Sequence, residues 1–181
     1  KFKNLIVYAV VNKILNNNKI NAPKLLSNYY NNDMIEISDL GEKSFYNYVI
    51  LKKNKLNDYK SLVKLIIKVQ KIKVKKSYKL GKFKVKFFKY SLNNLQKESD
   101  LFFDWYLKYC LKKKKINKIK KLLGKELNRV YKKLKFSNNT FVHRDFHVSN
   151  IMLKKKKLGL IDSQDAIIGN PLYDVASLID D

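Results

Sequence analysis

The stretch from Asn150 to Asp162 confines the fold of this chain more than any other. Ile151, Met152 and Leu153 are apolar, lysines fill 154–157, and Leu158, Leu160 and Ile161 are apolar again around Gly159. Two short apolar runs around a Lys-rich turn predict a β-hairpin from Ile151 to Ile161. A hairpin brings its own ends together, so Asn150 and Asp162 are expected close to one another on one side. Immediately upstream, FVHRDFHVSN (141–150) carries both histidines of the chain, His143 and His147, together with Asp145. Polar residues that merely satisfy turn hydrogen bonds would account for each of these singly. They do not account for two carboxylates and an amide set at such offsets around one hairpin.

The remaining sequence divides into recognisable segments. Phe2–Asn18 has apolar residues at helical spacing and ends in asparagines that suit a helix stop. Lys24–Tyr30 and Met34–Ser38 read as strands of a hairpin that turns at Asn31-Asn32-Asp33, and Asp39-Leu40-Gly41 then breaks the pattern, Gly41 being able to supply a positive φ. From Glu42 to about Phe136 the signal is mainly helical. Ser61–Ile72 and Ile116–Phe136 carry apolar faces opposite lysines, and Asp100–Leu111 is aromatic-rich with helical period. Phe102, Phe103, Trp105 and Tyr106 are expected in a core rather than on a base-stacking platform, since platforms interleave such rings with arginine on a sheet. Gly81–Tyr90 alternates like a strand but equally suits an irregular loop. After a short strand in 138–146 and the hairpin, 164–171 reads as a loop and a new helix begins after Pro171. Opening on Lys1 inside one apolar pattern and stopping at Asp181 inside another, the sequence reads as a piece of a longer protein.

Composition narrows the function classes. The formal charge is +25 over 181 residues, yet Arg129 and Arg144 are the only arginines. Arginine is the side chain that grips phosphates and guanine bidentately. Lysines scattered from end to end, with heavy Asn, Ile and Tyr use, instead suggest coding bias on solvated faces. A specific nucleic-acid surface is therefore not expected. Cys110 is the sole cysteine, which excludes a disulfide framework and a multi-cysteine zinc site. It is expected to behave as an ordinary small apolar residue of a helix. The longest apolar run near the N-terminus, Leu5–Val11, is too short to span a bilayer. No membrane role, a cytoplasmic location and a monomer are expected.

The convergent groups suit phosphoryl transfer. That reaction needs a carboxylate near the attacking hydroxyl and hard oxygen ligands that hold Mg²⁺ on nucleotide phosphates. Asp145 supplies the first, and Asn150 with Asp162 across the hairpin would supply the second. Asp145 and Asn150 match the spacing of the kinase catalytic loop, H-R-D-L-x-x-x-N, with Phe146 at the Leu position. His143 and His147 are candidates for orienting that loop.

HRDFHVSN followed by GLIDSQDAIIGNPLYDVASL resembles the aminoglycoside phosphotransferase and choline kinase superfamily, with its H-x-D-x-H-x-x-N loop and a metal-binding Asp in place of D-F-G. Together with DLG at 39–41 and LFFDWYL at 101–107, the form is similar to bacterial kinases of N-acetylmuramic acid and N-acetylglucosamine, which phosphorylate the anomeric hydroxyl in cell-wall recycling. The resemblance implies an α+β, protein-kinase-like two-lobed fold. Residues 1–38 would be a remnant of the N-terminal lobe, 39–41 the hinge and 42–181 the mostly helical catalytic lobe. It implies ATP and Mg²⁺ as cofactors and an amino sugar as acceptor. Asp145 would be the catalytic base, Asn150 and Asp162 the metal ligands, and Glu36, Ile37, Ser38 and Asp39 the segment beside the adenine. Asp174 would brace the catalytic loop from the following helix. Gln164 and Asp165 border the site and either face the sugar or serve as caps and turn residues.

Two departures stand out. Ser163 replaces a Phe usual in the subgroup, which removes an apolar contact beside Asp162. The five glycines are too dispersed for a phosphate-covering loop, and no Asp or Glu precedes Asp33, so the first helix has no acidic partner for a nucleotide-binding lysine. As it stands, the chain is expected to bind ATP poorly and turn over slowly. A catalytically silent binding module and a basic nucleic-acid binder are the rival readings. A protein kinase is disfavoured because D-F-G and A-P-E are missing.

Overall fold

The computed structural model describes residues 2–133 and 138–180. In chain order they form α1 (Phe2–Asn17), β1 (Leu25–Tyr29), β2 (Met34–Ile37), α2 (Phe45–Val49), α3 (Leu56–Gln70), β3 (Tyr78–Leu80), β4 (Phe83–Val85), α4 (Leu92–Leu101), a π-helical turn (Phe102–Tyr106), α5 (Leu107–Cys110), α6 (Lys113–Lys133), β5 (Thr140–Val142), β6 (Ile151–Lys154), β7 (Lys157–Leu160), β8 (Ile167–Gly169) and α7 (Leu172–Ile179). The expected run of α6 to Phe136 falls partly outside the described residues. Two compact units result, one from Lys1–Lys89 with Asn139–Asp181, the other from Tyr90–Asn138. No helix among the described residues is long and apolar enough to cross a membrane.

In the first unit, α1 buries Ile6, Val10, Val11, Ile14 and Leu15. It stops because Lys19 turns left-handed at φ 59° and the Asn18 side chain donates to the Ile14 carbonyl at 2.8 Å. The first hairpin pairs Tyr29 with Met34 and Leu25 with Ile37. Asp33 takes φ 53° at its end, a conformation that Asp tolerates better than most residues. Gly41 has φ 91°, and the Asp39 carboxylate accepts from its N–H at 2.8 Å. Ser44 then caps α2 by accepting from the Asn47 N–H. α3 buries Leu62, Leu65, Ile66 and Val69. These side chains join Phe141, Phe146, Ile151, Leu160 and Leu178 in one core, each worth about 1.5–3 kcal/mol of transfer free energy.

One open strand reading is resolved and one loop expectation needs correction. Of Gly81–Tyr90 only Phe83–Val85 is regular, paired with β3 across Gly81 at φ 57°. The stretch 164–171, read as a loop, contains β8, which lies antiparallel to β5 with Thr140 opposite Gly169 and Val142 opposite Ile167. Both strands are three residues long, and their pairing joins positions far apart in sequence, so no local periodicity announces it. The β6–β7 hairpin forms in the expected register, Ile151 opposite Leu160. Its two-residue turn is Lys155-Lys156, both left-handed at φ 48° and 63°. Such a turn normally selects Asn-Gly, so the surrounding strands hold the lysines there.

In the second unit, Ser91 and Asn94 form a reciprocal capping box at the start of α4. The aromatic run is helical but is not a core. Phe103 is 1% exposed, whereas Phe102, Trp105 and Tyr106 are 42%, 65% and 60% exposed. The Leu107 N–H bonds to the Phe102 carbonyl, five residues back. That wider turn shifts the helical phase, leaving Phe103 and Leu107 as the buried pair. Phe102 and Tyr106 stack on each other at 5.3 Å. Cys110 is exposed at the end of α5, and none of the residues of α6 is buried.

Gly159 shows how closely β7 approaches the segment around Asn21. The Leu160 N–H donates to the Asn21 carbonyl at 2.9 Å, and a Cβ at 159 would come within 2.8 Å of Leu40 Cδ1 and 2.9 Å of Asn21 Nδ2. Gly159→Val is expected to cost about 1–3 kcal/mol, read from urea unfolding. An unchanged midpoint would show that both side chains yield freely.

Candidate active site

The loop between β5 and β6 is held from beneath. The backbone N–H groups of His143 and Arg144 donate to the two oxygens of the Asp174 carboxylate, each at 2.9 Å. Asp174 itself lies in the first turn of α7 and is fully buried. Burial pushes its carboxyl up to about 6, with the two N–H groups pulling back down. Phe146, fully buried beneath the loop, anchors it with a side chain whose truncation costs about 3–5 kcal/mol. Arg144, at φ 76°, is the strained residue that this clamp retains. Its guanidinium lies over the Tyr173 ring at 5.8 Å.

His143 is buried, its ring facing the backbone of Asp145 and Ile161. Desolvation pushes its pKa down to about 4; the Asp162 charge and nearby backbone of Asp145 and Ile161 oppose this only in part. The ring is therefore neutral, set edge-on to Phe146 at 6.3 Å. Its backbone N–H ties the loop to Asp174, while the imidazole lies against the Asp145 backbone. His147 is half-buried and borders the same cleft as Asp145.

Asn150 ends a 3₁₀ turn, its N–H on the His147 carbonyl at 2.9 Å. The Asn150 side-chain nitrogen donates to the Asp145 carbonyl at 3.1 Å, which pins the amide and leaves its oxygen as an open acceptor. Across the hairpin base, the Ile161 N–H donates to the Asn150 carbonyl at 3.0 Å. Asp162 follows at once, left-handed at φ 59°. Asn150 and Asp162 border one cleft of about 860 Å³. An amide oxygen and a carboxylate are hard ligands of the kind Mg²⁺ takes, with phosphate oxygens and water completing its shell. Among the described residues no group of three or more His, Cys, Asp or Glu is placed to hold a metal ion by itself, so an ion held by Asn150 and Asp162 would need further ligands from outside the chain.

That cleft has apolar walls from Leu5, Ile35, Ile37, Leu40, Met152 and Ile161, with Tyr8 among its polar groups. Ile37, Ser38 and Asp39 of the expected adenine segment line it. Glu36 does not: it sits exposed between Ile35 and Ile37 and so points to the opposite face of β2. Leu5 and Tyr8 were missed in the sequence because α1 is apolar nearly all round, and periodicity could not separate its core face from its cleft face.

Residues of the same loop border a second cleft, of about 750 Å³. Arg144, Asp145, His147, Tyr173, Ser177 and Asp180 line it. Burial raises the Asp145 carboxyl, and the charges of Asp165 and Asp162 raise it further, against Arg144 and His147. Gln164 and Asp165 are the central residues of a turn closed by the Ala166 N–H on the Ser163 carbonyl at 3.2 Å. Gln164 also donates to Asp162 at 2.7 Å. Ser163 does not merely remove an apolar contact. It is fully buried, and its hydroxyl donates to Asn12 Oδ1 on α1 at 2.7 Å.

Loop, hairpin and paired clefts define a kinase-like phosphotransferase scaffold. The chain belongs to the phosphotransferase enzyme family, whose pattern it matches over residues 13–181. It is 25% identical over 162 residues to an N-acetylmuramate/N-acetylglucosamine kinase of Neisseria meningitidis serogroup B, covering 90% of this chain and 47% of the relative. A Pseudomonas aeruginosa protein of the same name is 26% identical over 162 residues, with 90% and 45% covered. The chain thus spans about half the length of these relatives. The gentamicin complex of APH(2″)-IIa matches 96% of this chain and 58% of its own at a TM-score of 0.59 and 17% identity. ADP-bound aminoglycoside phosphotransferase APH(2″)-Ib matches equally well at 18% identity. These structures share the fold.

The buried imidazole makes a pH prediction. Its folded-state pKa lies below the unfolded value, so its contribution to stability is fully present above about pH 6.5 and is lost as pH falls toward 4. Asp174 works oppositely, its contribution being lost as pH rises through about 6. Comparison with His143→Leu isolates the histidine, because Asp174 titrates in both proteins. Between pH 7 and 4.5 the wild type is expected to lose about 2–3 kcal/mol relative to the variant. A difference in urea unfolding that stays flat over this range would show the ring to be solvated.

Proposed function

We propose that this chain is the core of an ATP-dependent kinase that phosphorylates a small-molecule hydroxyl, with an amino sugar of the N-acetylmuramate or N-acetylglucosamine type as acceptor and its anomeric hydroxyl as nucleophile. The observation that carries this reading is that residues of one loop and hairpin border two clefts. Asn150 and Asp162 border one, and Asp145 borders the other. The first, with its apolar walls and acidic end, suits adenine against Ile35, Ile37 and Leu40 with the phosphates toward Asp162. The second suits the acceptor, whose hydroxyl would meet Asp145.

In this scheme Mg²⁺ on Asn150 and Asp162 would neutralise charge on the transferring phosphoryl group. Asp145 orients the hydroxyl and takes its proton as the new O–P bond forms and the bond to the ADP oxygen breaks. Its raised pKa suits a base. Asp174 acts through the loop backbone as a positioning residue, and His143 as packing beneath it. Asp39–Gly41 is assigned as the hinge, with residues 1–38 on the N-terminal lobe side and 42–181 on the catalytic side. The names of the two bacterial relatives support an amino-sugar acceptor, and with it a role in cell-wall recycling in the cytoplasm, the protein acting as a monomer.

Incubation of the full-length protein with ATP, Mg²⁺ and a panel of amino sugars, followed by phosphorus NMR, tests this directly. An anomeric sugar phosphate is expected, and Asp145→Asn should slow its formation by about 10²–10⁴-fold while ATP binding is retained. Product with choline-like alcohols or aminoglycosides alone would reassign the acceptor. ATP binding without any product would support a silent module.

A further inference from the structure

Asp162 occupies the left-handed region at φ 59°, a conformation that costs a non-glycine residue about 1–2 kcal/mol and persists only where its surroundings hold it. The residue after it is the hold. Ser163 is fully buried, and its hydroxyl donates at 2.7 Å to Oδ1 of Asn12, which is 1% exposed in the middle of α1. This bond joins residues 151 positions apart in sequence. Asn12 is engaged on its other side as well, its side chain hydrogen-bonding Tyr8. An apolar pair of similar volume would avoid the desolvation of these two buried polar groups. The polar pair therefore serves direction, not packing.

The surroundings point the same way. One turn before Asn12, Tyr8 borders the cleft together with Asp162. Burial pushes the Tyr8 phenol up, the Asn12 side chain beside it opposes this, and the Asp162 charge adds to the rise. In kinases the nucleotide-binding lobe is commonly tied to the site through an ion pair carried by a helix. α1 contains no Asp or Glu and cannot supply one. A neutral bond reaches the metal-binding segment from the same helix instead.

We propose that Asn12 and Ser163 are positioning residues that fix Asp162 for the metal by tying its backbone to α1. The proposal rests on the reading of Asp162 as a metal ligand. Displacing α1 would then swing the carboxylate out of register with Asn150, so the hold of this helix sets metal affinity before any chemistry occurs.

The test uses the full-length protein with Mn²⁺ and a non-hydrolysable ATP analogue, free Mn²⁺ being read by electron paramagnetic resonance. Ser163→Ala and Asn12→Leu are each expected to weaken Mn²⁺ binding about tenfold, the loss of one buried, direction-setting hydrogen bond. The double variant should be no weaker than either single, because both remove the same link. Ser163→Ala deletes one oxygen and keeps the fold available for measurement. Unchanged Mn²⁺ affinity with only a lowered melting temperature would reduce the pair to packing and overturn the proposal, as would losses that simply add. Asp162→Asn separates the two levels. If it abolishes Mn²⁺ binding while the Asn12 and Ser163 variants do not weaken it, only the strut is wrong. If it leaves binding intact, the metal assignment falls and the strut with it.

Discussion

Two backbone N–H groups, those of His143 and Arg144, end on the single carboxylate of Asp174. The conformation of the loop from β5 to β6 depends on that pair of bonds. Arg144 is left-handed and would relax without them. Asp174 in turn is fully buried and would be costly there without donors. Each side thus needs the other, which makes the contact cooperative. It also sets where α7 can lie, because the carboxylate comes from that helix's first turn. With the loop clamped, Asp145 borders one cleft, and Asn150, through its bond to the Asp145 carbonyl, borders the other.

The electrostatics of the site run against those of the chain. The sequence carries +25 overall, yet Asp145, Asp162 and Asp165 are near enough for the last two to raise the carboxyl of the first. Mutual repulsion of this kind is relieved by a bound cation. Lysines over the remaining surface would raise the local concentration of a polyanion such as a nucleotide without contacting it. A negative focus inside a positive field is an arrangement that would suit the proposed metal-bound nucleotide. It requires no cluster of arginines, and the chain has none.

Much of the site was legible because it is local. Asn150 and Asp162 bracket a hairpin whose alternating apolar runs and central lysines announce both the strands and their meeting ends. The motif spacing of His143, Asp145 and Asn150 is likewise a property of one short loop. Other features were not legible. β8 is three residues whose partner, β5, is elsewhere in the sequence. The aromatic run at 101–107 has helical period, but a π-turn shifts its phase and leaves three of four rings exposed. Glu36 is exposed on β2 and does not line the cleft that Ile37, Ser38 and Asp39 border. Ser163 reads as a lost contact until its partner, Asn12, is seen on α1.

The sequence by itself determined the hairpin, the motif spacing of the loop and the family, because turns, strand alternation and motif spacing are encoded within a few residues of one another. The tertiary structure alone decided that one loop borders two clefts, that α1 gives one face to the core and Tyr8 to a cleft, and that a buried Asn12–Ser163 bond reaches the segment after β7. These are contacts between residues distant in the chain. Their energy comes from burying and pairing groups that no local pattern marks as partners, so only the folded packing could select them.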